Sequence, residues 1–210
     1  MILSFTKGNC MSYNVGYISV PHSTYDEWRN NINGNGWNVD NIYGCQCYDL
    51  ALLFWWNVGF PRGYPVSSTL GAAGIWDRRL ENVAWGNTIY FDIIEHLSDI
   101  KRGDVIVYAG FPGNTYGHVG FADEDYDTWS AAHPGDYEFP ILSENNQGTP
   151  DPQGGTYANI HGYDTRLILG AFRYREWEGG PTPPTPTKKK KFPWFIYANR
   201  LRNKNNYGII

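Results

Sequence analysis

The chain has 210 residues, 41% hydrophobic and 18% charged, a composition that can pack a core and excludes wholesale disorder. Its 24 glycines, 16 tyrosines, 10 phenylalanines and 9 tryptophans exclude a coiled coil and point to short elements joined by many turns. The net charge of −4 divides into −11 over residues 1–178, where 10 basic residues meet 21 acidic ones, and +7 beyond; so acidic a body repels phosphates and excludes nucleic acid as the partner.

Residues 1–14 hold one lysine and no sustained apolar stretch, so no secretory signal is predicted. No run of about 18 apolar residues offers a membrane span. A short helix is predicted over Ser23–Asn31, with Ser23 or Thr24 as cap and Asp26 and Glu27 in its first turn. Gly34–Gly44 reads as a loop. Tyr48–Val58 reads as a strong helix, with Leu50, Leu53, Phe54 and Asn57 at helical spacing and Gly59 as its stop. Phe60–Gly74 is mostly loop, and a further helix is expected around Ile75–Asn82. Strands are predicted over Asp104–Ala109 and His118–Ala122, joined by a hairpin through Gly110–Gly117, and again over Ile141–Glu144 and Leu167–Tyr174. Helices come first and an antiparallel sheet follows, which makes the body, residues 1–178, an α+β domain. Gly179–Thr187 holds four prolines and reads as an extended spacer. Residues 188–210 form a basic, aromatic tail too short to build its own core.

A thiol nucleophile needs a lowered pKa, a base within hydrogen-bond reach and a group that orients the base. Cys47 stands immediately before the helix predicted from Tyr48, where the helix dipole and free amides favour a thiolate and can receive an oxyanion. His118 opens a strand between glycines, which predicts an accessible imidazole. Glu144, Asn145 and Asn146 end a later strand and offer it a carboxylate or amide. The bland readings are an inert buried thiol, a capped turn histidine and a solvated strand end. Cys10, Cys45 and Cys47 are too few for a disulfide framework, and at least one thiol is expected free. Cys45 reads as a small buried hydrophobe, with a Cys45/Cys47/His118 zinc site as the outside alternative. Trp55 and Trp56 read mainly as helix core, whereas Trp76, Trp85, Trp129 and Tyr116 suit either a groove or the core.

Gln46-Cys47-Tyr48-Asp49, then Gly103-Asp104-Val105-Ile106-Val107-Tyr108, then Gly117-His118-Val119-Gly120, then Ser143-Glu144-Asn145-Asn146 resemble, in order and spacing, the CHAP family of cysteine/histidine-dependent amidohydrolase/peptidases. The resemblance covers roughly residues 25–174 and departs from the family at Gln147, where an aromatic residue often stands. It implies a papain-like fold, with N-terminal helices packed on an antiparallel sheet, and cleavage of bacterial peptidoglycan. Cys47 would attack an amide carbonyl and His118 would activate the thiol. Glu144 or Asn146 would hold the imidazole, and Gln46 with the Cys47 amide would stabilise the oxyanion. No organic cofactor is implied. Phage domains of this kind carry calcium at positions matching Asn38, Asp40, Ile42, Gly44 and Asp49, with aspartate where Asn38 stands; the alternative is a loop of Asx turns.

On this reading the substrate is an amide of the peptidoglycan stem peptide or cross-bridge. The absence of a predicted signal peptide points to a phage product. A virion-borne tail lysin is favoured, its C-terminal tail docked on phage tail proteins. The alternatives are an endolysin acting from the host cytoplasm on the wall at lysis, and a non-enzymatic tail or wall-binding protein with the same fold.

Overall fold

A computed structural model of the chain describes the backbone of Cys10–Ser12 and residues 19–40, 42, 44–144 and 156–177. The spacer, the basic tail and Asn146 lie outside the described residues. Cys10–Ser12 (β1) pairs in parallel with Gly36–Asn38 (β2), a buried strand inside the stretch expected to be loop. Between them, Tyr25–Ile32 (α1) starts where the sequence predicts. Thr24 Oγ1 accepts from Glu27 N at 3.1 Å, and the Glu27 carboxylate accepts in return from Ser23 N at 2.9 Å.

The central helix runs over Cys47–Asn57 (α2), so Cys47 is its first residue rather than the one before it. Val58 caps it, and Gly59, at φ 111°, turns the chain away. Asp49 to Trp55 are all buried, so this helix is covered all round instead of on one stripe. Phe54 packs on Trp28 and Phe121 with ring centroids 4.9 and 5.0 Å apart. Burying each such ring stabilises the fold by about 1.5–3 kcal/mol. Trp55 Nε1 donates to the Asn82 carbonyl at 2.9 Å, tying α2 to two short helices, Gly74–Asp77 (α3) and Arg79–Asn82 (α4). The single helix predicted here breaks at Arg78 (φ −101°, ψ 19°).

Ala84–Trp85 (β3) and Thr88–Ile89 (β4) make a small hairpin, followed by Phe91–Ile94 (β5). Val105–Tyr108 (β6) and His118–Ala122 (β7) form the predicted hairpin, with Tyr108 opposite His118. Tyr126–Ala132 (α5), Glu138–Ser143 (β8), Asn159–Asp164 (β9) and Ile168–Tyr174 (β10) complete the body. The main sheet is antiparallel with order β5-β10-β6-β7-β8-β9, which bears out the α+β class. Helix α2 covers one face, and Trp129 of α5 packs on the other with Ile106, Tyr108 and Phe139. Thus α5 interrupts the expected order of helices first and strands after. Among the described residues no helix is long and apolar enough to cross a membrane.

Two glycine positions aim the strand that carries His118. Gly117 sits at φ 72°, and a Cβ there would lie 2.4 Å from the Tyr108 carbonyl oxygen. A Cβ on Gly120 would lie 2.8 Å from the Ser143 Cβ, so glycine lets β8 approach β7 closely. Asp104 is structural: its carboxylate accepts from Arg173 Nε and Nη2, each at 2.9 Å, and from Lys101 N at 2.8 Å.

Candidate active site

The head of α2 is held by a buried carboxylate. Asp49 Oδ1 accepts from Val39 N at 2.6 Å and Asp40 N at 2.9 Å, while Oδ2 accepts from Gln46 N at 3.1 Å. One side chain thereby ties Val39, Asp40 and Gln46 to the first turn and sets where Cys47 stands. Burial and then the nearby Asp40 charge push the Asp49 carboxyl up to about 7. Gln46 is the half-buried N-cap.

Cys47 is the free thiol among the described cysteines. The backbone amides of Val119 and Tyr48 hydrogen-bond its sulfur, which puts the thiol against the residue that follows His118. Burial nonetheless pushes the thiol up to about 12, and the Asp49 and Glu144 carboxylates add to the rise. Desolvation beside two carboxylates thus works against the helix start, so the thiol needs a base to take its proton. Cys45 is buried as expected, but it is disulfide-bonded, which removes the zinc alternative.

His118 is only 2% exposed, against the expectation of an accessible ring. Tyr163 lies flat on its face, with centroids 4.5 Å apart and planes 8° apart. At its edge, Nε2 and Ser143 Oγ share a hydrogen bond of 2.8 Å. Neither residue has a predicted role: Ser143 stands in the acidic motif, where the resemblance assigns the task to Glu144 or Asn146, and Tyr163 lies on an edge strand without apolar alternation.

Glu144, expected to orient the imidazole, is placed otherwise. It is fully buried, and its Oε1 accepts from Trp37 N of β2 at 2.6 Å, while Oε2 has no partner among the described residues. Serine, not Glu144, meets Nε2 because β7 and β8 come together at Gly120. Burial, then the Asp49 charge, hold the Glu144 carboxyl well above its ordinary range. A carboxyl whose folded pKa is raised contributes stability that is complete below its unfolded value of 4.5 and is lost as pH rises. Glu144→Gln keeps an acceptor for Trp37 and removes that charge. Its melting temperature should gain on wild type steadily as pH rises above 4.5, with the gain absent near about pH 4; melting curves of both proteins across pH check this.

The residues matched to calcium ligands gather partly. Asn38 is 7% exposed at the end of β2, and its Oδ1 is buried without a partner among the described residues. The Asp40 side chain is hydrogen-bonded to Asp49, its Oδ1 also accepts from Ile42 N at 2.7 Å, and burial pushes its carboxyl up. Ile42 is exposed, and Gly44 sits at φ 74°. A buried amide oxygen without a partner among the described residues, and a crowded pair of carboxylates, are donors of the kind a hard cation takes. Among the described residues no cluster of three or more His, Cys, Asp or Glu side chains fits a metal, so any such ion takes amide and carbonyl oxygens as well. The groove aromatics divide: Trp129 belongs to the core, Trp76 packs on Phe172, and Trp85 and Tyr116 are exposed.

No family model matches the chain. A fold likeness with TM-score 0.49 and 22% identity, over 72% of this chain and 64% of the other, links it to the crystal structure of wild type endolysin LysIME-EF1. In sequence it is 34% identical over 176 residues to a D-alanyl-L-alanine endopeptidase of Streptococcus phage B30, across 83% of this chain. The match spans 35% of that enzyme, so over about a third of its relative's length the chain is a homologue of a phage endopeptidase.

Proposed function

We propose that the chain is a bacteriophage peptidoglycan hydrolase of CHAP type, cutting the D-alanyl-L-alanine amide for which its relative is named. The observation that carries this reading is the free Cys47 heading a buried helix, its sulfur bonded by the amide next to His118. His118 takes the thiol proton as the sulfur attacks the carbonyl carbon, and the carbonyl π pair moves to oxygen. The Cys47 amide and the Gln46 side chain receive that oxyanion. Its collapse breaks the C–N bond, and the leaving amine takes the proton from His118. Water, deprotonated by His118, then splits the thioester and returns the thiol. Ser143 holds the imidazole at Nε2, with Asn146 as the family's remaining candidate for that task.

Mass spectrometry of fragments released from purified walls tests the reading. New D-alanine carboxyl and L-alanine amino ends are expected. Cleavage at muramoyl-alanine would make the protein an amidase instead, and no cleavage would leave a wall-binding protein. Recovery of the protein from purified virions would establish the tail lysin, and its absence there the endolysin.

A calcium ion held by Asn38, Asp40, Asp49 and the Ile42 and Gly44 carbonyls is part of the proposal. When bound, it neutralises the Asp40–Asp49 pair and stiffens the segment leading to Cys47. A chelator should lower the melting temperature of wild type and leave Asp40→Ala nearly unchanged. Asn38→Asp should tighten binding, because ligand charge tunes calcium affinity. Titration calorimetry showing no uptake at millimolar calcium would remove the ion.

A further inference from the structure

The imidazole of His118 is gripped by groups outside the Cys47–His118 pair. Tyr163 stacks on its face at 4.5 Å and meets Tyr108, which stands opposite His118 across β6 and β7, at 4.6 Å and a 59° tilt. The Tyr163 hydroxyl and the Asn114 side chain share a hydrogen bond. Asn114 in turn pins the hairpin that delivers His118: its Nδ2 donates to the Gly117 carbonyl and its Oδ1 accepts from Tyr116 N, each at 3.2 Å. The chain brings Tyr163 there by curling β9 back. Thr165 N donates to the Tyr137 carbonyl at 2.9 Å, and Ala109 N to the Leu167 carbonyl at 2.7 Å, which returns the end of β9 to the end of β6.

We propose that Tyr163 is a positioning residue, whose ring sets the plane of His118 for proton transfer with Cys47. The inference rests on the Cys47–His118 reading above. Histidine's χ2 torsion is broad, so nothing intrinsic fixes the plane of its ring. The Ser143 hydroxyl rotates and accommodates a range of planes. A flat aromatic contact at 8° does not, because turning the imidazole would drive its edge into the tyrosine face. Tyr163 cannot simply step aside, being held by Tyr108 at one side and Asn114 at its hydroxyl. Tyr163 thus touches the imidazole without taking part in bond making.

The test compares Tyr163→Phe with Tyr163→Leu in steady-state cleavage of a soluble muropeptide containing D-alanyl-L-alanine. Phenylalanine keeps the stack and loses the Asn114 bond, so its kcat should stay within a few-fold of wild type. Leucine keeps apolar cover and loses the flat face. Its kcat should fall roughly 10- to 100-fold with KM nearly unchanged, the scale of a misplaced catalytic group. Melting curves confirm folding, and Tyr163→Met serves the same comparison if the leucine variant does not fold. Wild-type kcat in the leucine or methionine variant overturns the proposal, as does an equal loss in the phenylalanine variant. Activity of His118→Ala separates the two readings: if that variant keeps full activity the Cys47–His118 assignment falls, and if it is inactive while Tyr163→Leu is unimpaired only the stacking role falls.

Discussion

Cys47→Ala is expected to abolish release of D-alanine and L-alanine ends from purified walls while leaving the fold intact, with a melting temperature only several degrees lower. The sulfur forms the bond to the acyl carbon, and alanine offers no atom that can replace it. The described structure offers no substitute thiol, since Cys45 is disulfide-bonded. The cost to the fold is small: two amide contacts, from Val119 and Tyr48, lose their acceptor, and each is worth about 1 kcal/mol. Cys45→Ala should behave in the opposite way. Chemistry should persist in the folded protein, but loss of the disulfide should lower stability by about 2–5 kcal/mol. Mass spectrometry of wall fragments and thermal melts of the two variants check both halves. Full activity in Cys47→Ala would place the nucleophile elsewhere.

Replacing His118 by Gln should lower turnover by about 10²–10⁴-fold, the usual weight of general acid–base catalysis. Glutamine keeps a polar group in reach of Ser143 and avoids the void that alanine would leave under Tyr163, so a loss of rate is not a loss of fold. The size of the effect follows from the state of Cys47. With its thiol pushed up to about 12, almost no thiolate exists at neutral pH without a base. Iodoacetamide should therefore modify wild-type Cys47 slowly near pH 7 and the His118→Gln variant more slowly still. Mass spectrometry of the alkylated cysteine over time measures this. Equal alkylation rates in the two proteins would mean that His118 does not take the thiol proton.

Much of this site was legible in the chain because it depends on local rules. Thr24 and Glu27 announce the start of α1 through cap chemistry, and the apolar run from Leu50 to Trp55 followed by Gly59 bounds α2. The turn residues between Tyr108 and His118 foretell the hairpin, so Cys47 at a helix head and His118 at a strand head could be placed without coordinates. Elements lacking such signals were missed: β2, only three residues long, β9 with mixed polarity on the sheet edge, and α5 between two strands.

Chain order alone decides which residues sit on which element; the tertiary structure decides what surrounds them. Glu144 reads as a partner for His118, yet Trp37, 107 residues away, takes its carboxylate, and Ser143 takes Nε2 because Gly120 lets β8 close on β7. Cys47 reads as a thiolate from its helix position, but desolvation beside Asp49 and Glu144 reverses the sign of the shift. His118 reads as exposed from its flanking glycines and is covered by a tyrosine 45 residues later in the chain. In each case the deciding energy is burial or a contact between distant segments. Neither has a signature in local sequence, because both arise only once the sheet has curled and the helix has been enclosed.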